Sequence, residues 1–288
     1  WGRLPGRTFR DSSRDWCYVP THRVFHKGGV LKVLAIADGI LHRAGLTQLI
    51  RFAHILAGVA WIGLLYFFNL VQVPAYAAFG DEGKARNIAI DKVTRRALWW
   101  FRWAAITTVI LGLFITMAEP DFFKPAGTSF GKTSTGITIS LGMLLGIIMM
   151  LNVWGVIWRN QKVVLANAAN VLNGGAADPN AAAAGRKAFM ASRQNVVFSV
   201  TMLFFMVFTS HSAYSATVLS GGKSGAYWLI ALVIIAVLEL NCLGMLPWKA
   251  EMNKGLNALY DNGVKGTIIS AVGLWVVFLI LPEVLFKP

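Results

Sequence analysis

Two histidines stand inside otherwise apolar stretches of this chain: His54 in FAHILAGVAWIGLLYFFN (52–69) and His211 in FMVFTSHSAYSA (205–216). An ionisable side chain in lipid is costly and points to function. An imidazole there can ligate a metal, relay a proton, or simply hydrogen-bond a neighbour such as Ser210 or Ser212. Two histidines without a third donor make a poor bare metal site. As axial ligands on opposite faces of one haem b, however, two are enough, and His54 and His211 are the candidate ligands of the haem iron. Gly58, one turn beyond His54, offers room for a flat macrocycle, and Trp61, Phe204 and Phe208 are aromatic rings that could pack on it.

No catalytic residue is identified by pattern, but Arg102 and Glu239 are the candidates. They are the two opposite full charges inside apolar segments, and each would be costly alone. A structural ion pair is the favoured reading, and an anionic substrate resting on Arg102 is the functional alternative. Asn69, Asn152 and Asn241 complete the polar groups within the spans. The aromatic run WWFRW (99–103) reads first as an interfacial belt.

The elements that must position these residues are membrane helices. Only 14% of the 288 residues are charged, against about a quarter in soluble domains. Six apolar runs approach or exceed the roughly 20 residues that cross a bilayer as helix: 50–73, 97–118, 136–158, 196–219, 226–246 and 267–286. Backbone groups in lipid must be satisfied internally, and these runs are too continuously apolar for barrel strands. The expected fold is therefore an all-α, polytopic bundle of about six transmembrane helices.

Residues 1–29 show no apolar period or signal-peptide core and are expected to be a basic, disordered arm, with His22 and His26 solvated. The chain opens on Trp, so the true start is expected to lie elsewhere. Residues 30–46 read as an interfacial amphipathic helix, in which Asp38, His42 and Arg43 oppose crossing. Residues 47–288 form the membrane domain. The connection 159–195 is expected to hold a turn and then a short alanine-rich helix on the membrane surface.

The net charge of +14 does not signal nucleic acid. Of the 27 Lys and Arg residues, Arg102 alone lies well inside a span, and Arg51 sits at a span end. The connections after the first, third and fifth spans hold 13 of them, against 4 on the opposite side. The positive-inside rule puts the first set in the cytoplasm, although the arm, with 8 Lys and Arg in residues 1–46, opposes that orientation. A multi-pass protein of the bacterial inner (cytoplasmic) membrane is the expectation. Cys17 and Cys242 suggest no disulfide framework, and no Cys-x-x-Cys-His motif for covalent haem attachment occurs.

On this reading the first and fourth spans run antiparallel. His54 lies about 6 Å and His211 about 12 Å below the same membrane face, at about 1.5 Å of rise per residue. The other polar groups within the spans, Asn69, Arg102, Asn152, Glu239 and Asn241, fall in the opposite half.

Four segments together resemble a known family. HILAGVAWIGLLYFFN (54–69), RRALWWFRWAA (95–105), LNVWGVIWRNQKVV (151–164) and SVTMLFFMVFTSH (199–211) look like the N-terminal membrane domain of the membrane-bound urate hydroxylases, or urate oxidases, of purine catabolism. The resemblance implies haem-dependent oxidation of urate, or a related small anion, to 5-hydroxyisourate, and histidines that match His54 and His211. That family carries a C-terminal cytochrome c domain not found among these residues, which implies an external cytochrome c or a larger membrane complex as electron acceptor. The alternative is a non-catalytic integral subunit of an electron-transfer complex.

Overall fold

The computed structural model describes residues 42–118, 130–211 and 218–286. The expected arm 1–29 and most of the expected interfacial helix 30–46 lie outside the described residues. The chain divides into two units, Trp1–Leu46 and Thr47–Pro288, and of the first only residues 42–46 are described, a bend at 42 and then the first residues of the helix Arg43–Tyr66.

Regular structure among the described residues is helical, apart from one isolated antiparallel bridge between Thr133 and Val218. Among the described residues, six helices are long and apolar enough to cross a membrane: α1 Gly45–Ala78, α2 Gly83–Ala118, α3 Ser134–Leu172, α4 Ala181–Val207, α5 Gly221–Cys242 and α6 Gly263–Phe286. The chain is an all-α, multi-pass bundle. Helical structure in α4 continues to His211.

Helix ends differ from the sequence reading. The 39 residues of α3 extend about 58 Å as helix, nearly twice the roughly 30 Å of hydrocarbon. The expected surface helix in 159–195 does not exist as a separate element, because Ala181 already begins α4 and only residues 173–180 connect the two helices. Two local features drive this. Gly174 takes φ +84° to turn the chain, and the Asp178 carboxylate closes the turn before the helix by accepting from the Asn180 N–H at 2.8 Å. Alanine, the best helix former, then propagates α4 without a break.

The buried centre is α4. Its most apolar window is 67% buried, against 56% for α3 and 22–28% for the other four helices. It packs along α3 and α6 over most of its length. A helix enclosed by protein can carry polar groups that lipid would reject, and α4 buries Arg193, Gln194, Asn195, Ser199 and Thr201. Thr133 caps α3 by accepting from the Gly136 N–H at 3.0 Å.

Among the described residues, three helices contain a π-helical turn: Phe67–Gln72 in α1, Ile90–Thr94 in α2 and Val153–Ile157 in α3. Each widens the i→i+4 ladder by one residue, a distortion that recurs at functional sites. All three lie toward the end of the bundle opposite His54.

Candidate functional site

His54 faces α2. Its Nδ1 lies 2.8 Å from the backbone carbonyl oxygen of Thr108. A carbonyl only accepts, so Nδ1 carries a proton, and in the neutral imidazole Nε2 then keeps its lone pair. Metal-bound histidines characteristically donate their other ring nitrogen in this way, which fixes the tautomer and aims the ligating one. Gly112 completes the seat: a Cβ there would stand 3.0 Å from His54 Cε1 and 3.3 Å from Nδ1. The imidazole therefore fits an axial-ligand role, and the same geometry also serves helix packing.

Gly58 has a different neighbour from the one its spacing suggested. A Cβ at Gly58 would touch Thr108 Cγ2 at 3.7 Å, so the small residue lets α1 and α2 approach closely. Trp61 is 1% exposed, and its buried indole N–H finds no partner among the described residues. The Phe204 ring packs edge-on against Phe205 and Trp275, at 5.3 and 5.4 Å between centroids. His211 ends the helix of α4, but its side chain and that of Phe208 lie outside the described ones.

The register of α1 against α4 is well defined. The Tyr66 and Ser199 hydroxyls are 2.9 Å apart, and Asn69 Nδ2 donates to Ser192 Oγ at 2.8 Å. Numbers rise along α1 as they fall along α4, so the helices are antiparallel. His54 lies 12 residues before Tyr66, and His211 lies 12 residues after Ser199. Both are thus about 18 Å from the Tyr66–Ser199 contact, on the same side.

The Arg102–Glu239 ion pair does not form. Glu239 Oε2 accepts from Asn152 Nδ2 at 3.2 Å, and Asn152 Nδ2 also donates to Asn195 Oδ1 at 3.1 Å. The Arg102 guanidinium instead lies over the Trp158 ring at 3.7 Å and near Trp154 at 5.9 Å. Trp154 Nε1 donates to the Arg102 carbonyl at 3.0 Å. Aromatic faces offset part of the cost of a guanidinium in a span. Trp99, Trp100 and Trp103 are exposed on the bundle surface, where an aromatic belt belongs.

The polar groups opposite the histidines do gather, but chiefly around α4. Besides the Asn152–Asn195–Glu239 cluster, Asn241 Oδ1 accepts from Trp248 Nε1 at 2.6 Å, and Tyr260 donates to Gln194. Sequence reasoning missed Thr108, Gly112 and Ser199. A backbone carbonyl acceptor leaves no mark in a sequence, and Gly, Ser and Thr are unremarkable in membrane helices. No family model, curated protein or solved structure compared with the chain matches it.

Proposed function

We propose that the protein is a membrane oxidoreductase holding one haem b between His54 of α1 and His211 of α4. The observation that carries this reading is the register: a single hydroxyl–hydroxyl contact at 2.9 Å lies equally far from both histidines. Support also comes from the His54 imidazole, whose Nδ1 is committed to the Thr108 carbonyl and whose Nε2 is left for a metal. The haem would supply one-electron transfer, with a potential set by its axial ligands and burial. The chain's own part is to hold the imidazole tautomer and to keep the site between helices.

On the resemblance of its first four spans to the urate hydroxylases, the finer reading is two-electron oxidation of urate or a related small anion. The electrons would pass to an external cytochrome or a larger membrane complex, in a bacterial inner membrane. Arg102 is an unsuitable anion anchor, because its guanidinium is already stacked on Trp158. The test is haem content. Pyridine haemochrome analysis of the full chain, purified from haem-replete cells, should give one b-type haem per polypeptide, and a haem-free protein would end the proposal.

A further inference from the structure

The three π-helical turns converge on one cavity. It measures about 320 Å³ and opens between α1, α2, α3 and α4, with Phe68, Asn69 and Gln72, Ile90 and Thr94, and Ile157 contributed by the π-turns. Asn69 is 15 residues beyond His54, about 22 Å along α1, so this is a separate site from the proposed haem. Its volume is at the small end of ligand pockets, about 300–1,000 Å³.

The lining reads as a recognition surface. Asn69 is 1% exposed, and its Nδ2 donates to Leu65 O at 2.9 Å and to Ser192 Oγ at 2.8 Å. Those two bonds fix the amide orientation and leave Oδ1 a buried acceptor with no partner among the described residues. A buried acceptor left without a donor is costly, so a ligand donor there is favoured. Tyr76 and Thr94 hydroxyls are 2.7 Å apart, and Thr94 donates to Gln72 Oε1 at 3.0 Å. Among the described residues, no hydrogen bond uses the amide N–H groups of Gln72 or the side-chain amide of Gln161. Phe68, Phe101 and Phe189 give aromatic walls, the first two packed edge-on at 5.3 Å.

Charge sets the polarity of the ligand. Among the described residues the lining contains no carboxylate and one cation, Arg86, which is exposed and makes no ion pair with them. A cationic ligand would meet Arg86 without a counter-charge. We infer that this cavity binds a small aromatic monocarboxylate carrying a hydroxyl or N–H donor at the end opposite its carboxylate. The donor end satisfies Asn69 Oδ1, the ring lies among the phenylalanines, and the carboxylate meets Arg86 at the mouth, where a guanidinium engages it with two parallel hydrogen bonds.

The test uses the purified full chain and three probes by isothermal titration: 4-hydroxybenzoate, benzoate without the donor, and 4-hydroxybenzyl alcohol without the charge. 4-Hydroxybenzoate should bind saturably, and each of the other two at least about tenfold more weakly, the equivalent of one net hydrogen bond. Asn69→Leu should remove the preference for 4-hydroxybenzoate over benzoate. Because Asn69 also ties α1 to α4, Arg86→Gln and Gln161→Leu serve as variants whose side chains hold no other element. Arg86→Gln should weaken 4-hydroxybenzoate about tenfold and leave the alcohol unchanged. Gln161→Leu should weaken all three probes. No saturable binding at millimolar concentration, or binding indifferent to these variants, would make the cavity a water site only and overturn the inference. Equal affinity for benzoate and 4-hydroxybenzoate would overturn it as well.

Discussion

The segment between α5 and α6 is tied to α4 by one ion pair, and removing its charge has a calculable cost. Arg186 Nη1 and Nη2 both donate to the Asp261 carboxylate, the latter at 2.9 Å. Arg186 Nε donates to Ala250 O at 3.0 Å, and the Asn253 N–H donates to Asp261 Oδ2 at 2.8 Å. The two side chains are 18% and 2% exposed, so this is a mostly buried pair. Asp261→Asn keeps the shape and one acceptor oxygen, but it removes the counter-charge and one of the two acceptors of Arg186, whose other neighbours are the Ala250 carbonyl and the Phe189 ring, 5.5 Å away.

Breaking a buried pair from one side costs about 3–5 kcal/mol. The residual exposure of Arg186 favours the lower end, about 3 kcal/mol. At about 2–4 °C per kcal/mol for a chain of this size, apparent Tm in detergent should fall by roughly 6–12 °C at fixed scan rate. The double variant Arg186→Gln/Asp261→Asn should lose less than the two singles summed, by at least about 1 kcal/mol.

The pH profile gives a second readout. Burial pushes the Asp261 carboxyl up, but hydrogen bonds from Arg186 and the Asn253 backbone, with the charges of Arg186 and Arg193, outweigh it and hold the group below its ordinary value of 3.8. A depressed carboxylate stabilises the fold fully above its unfolded value and loses that contribution as pH falls through the lower, folded one. Wild type should therefore lose stability below pH 3.8 in a step that Asp261→Asn lacks. An Asn variant with wild-type Tm and the same acid profile would refute the reasoning.

Because Glu239 bonds Asn152 and Arg102 stacks on Trp158, the neutral substitutions Arg102→Gln and Glu239→Gln should add in thermal unfolding, to within about 0.5 kcal/mol. A larger coupling would restore the ion pair. Gly112→Ala would put a methyl 3.0 Å from His54 Cε1, so it should displace the imidazole and lower haem content. Thr108→Ala should leave the haem spectrum unchanged, since the acceptor is a backbone carbonyl. The reverse pattern in that pair would detach the His54 seat from haem binding.

The six spans were legible because lipid demands long apolar helices and nothing else in the chain competes for that reading. Helix ends were not legible. The stretch RNQKVVLANAANVL (159–172) is polar enough to leave the bilayer, yet it remains α-helical as the end of α3. Arg102 and Glu239 illustrate a second limit. Two opposite charges in the same half of a bundle fix depth but not azimuth, and azimuth turned one toward Trp158 and the other toward Asn152. The cavity escaped for a third reason. Asn69 stood out as a polar residue in a span, but Gln72 and Thr94, which line the cavity with it, sit in π-turns that break the 3.6-residue period, and Ser192 comes from a distant helix, α4.

The most direct test of the central claim is the visible spectrum of dithionite-reduced full-length protein, with and without carbon monoxide, compared with His54→Ala and His211→Ala. Two imidazoles give a low-spin iron, so wild type should show sharp visible bands that carbon monoxide leaves unchanged. Each histidine variant should become high-spin and bind carbon monoxide, or lose the haem, while His42→Ala keeps the wild-type spectrum. A protein from haem-replete cells without Soret absorption, or histidine variants with unaltered spectra, would contradict the account and leave His54 as a helix-packing residue bonded to the Thr108 carbonyl.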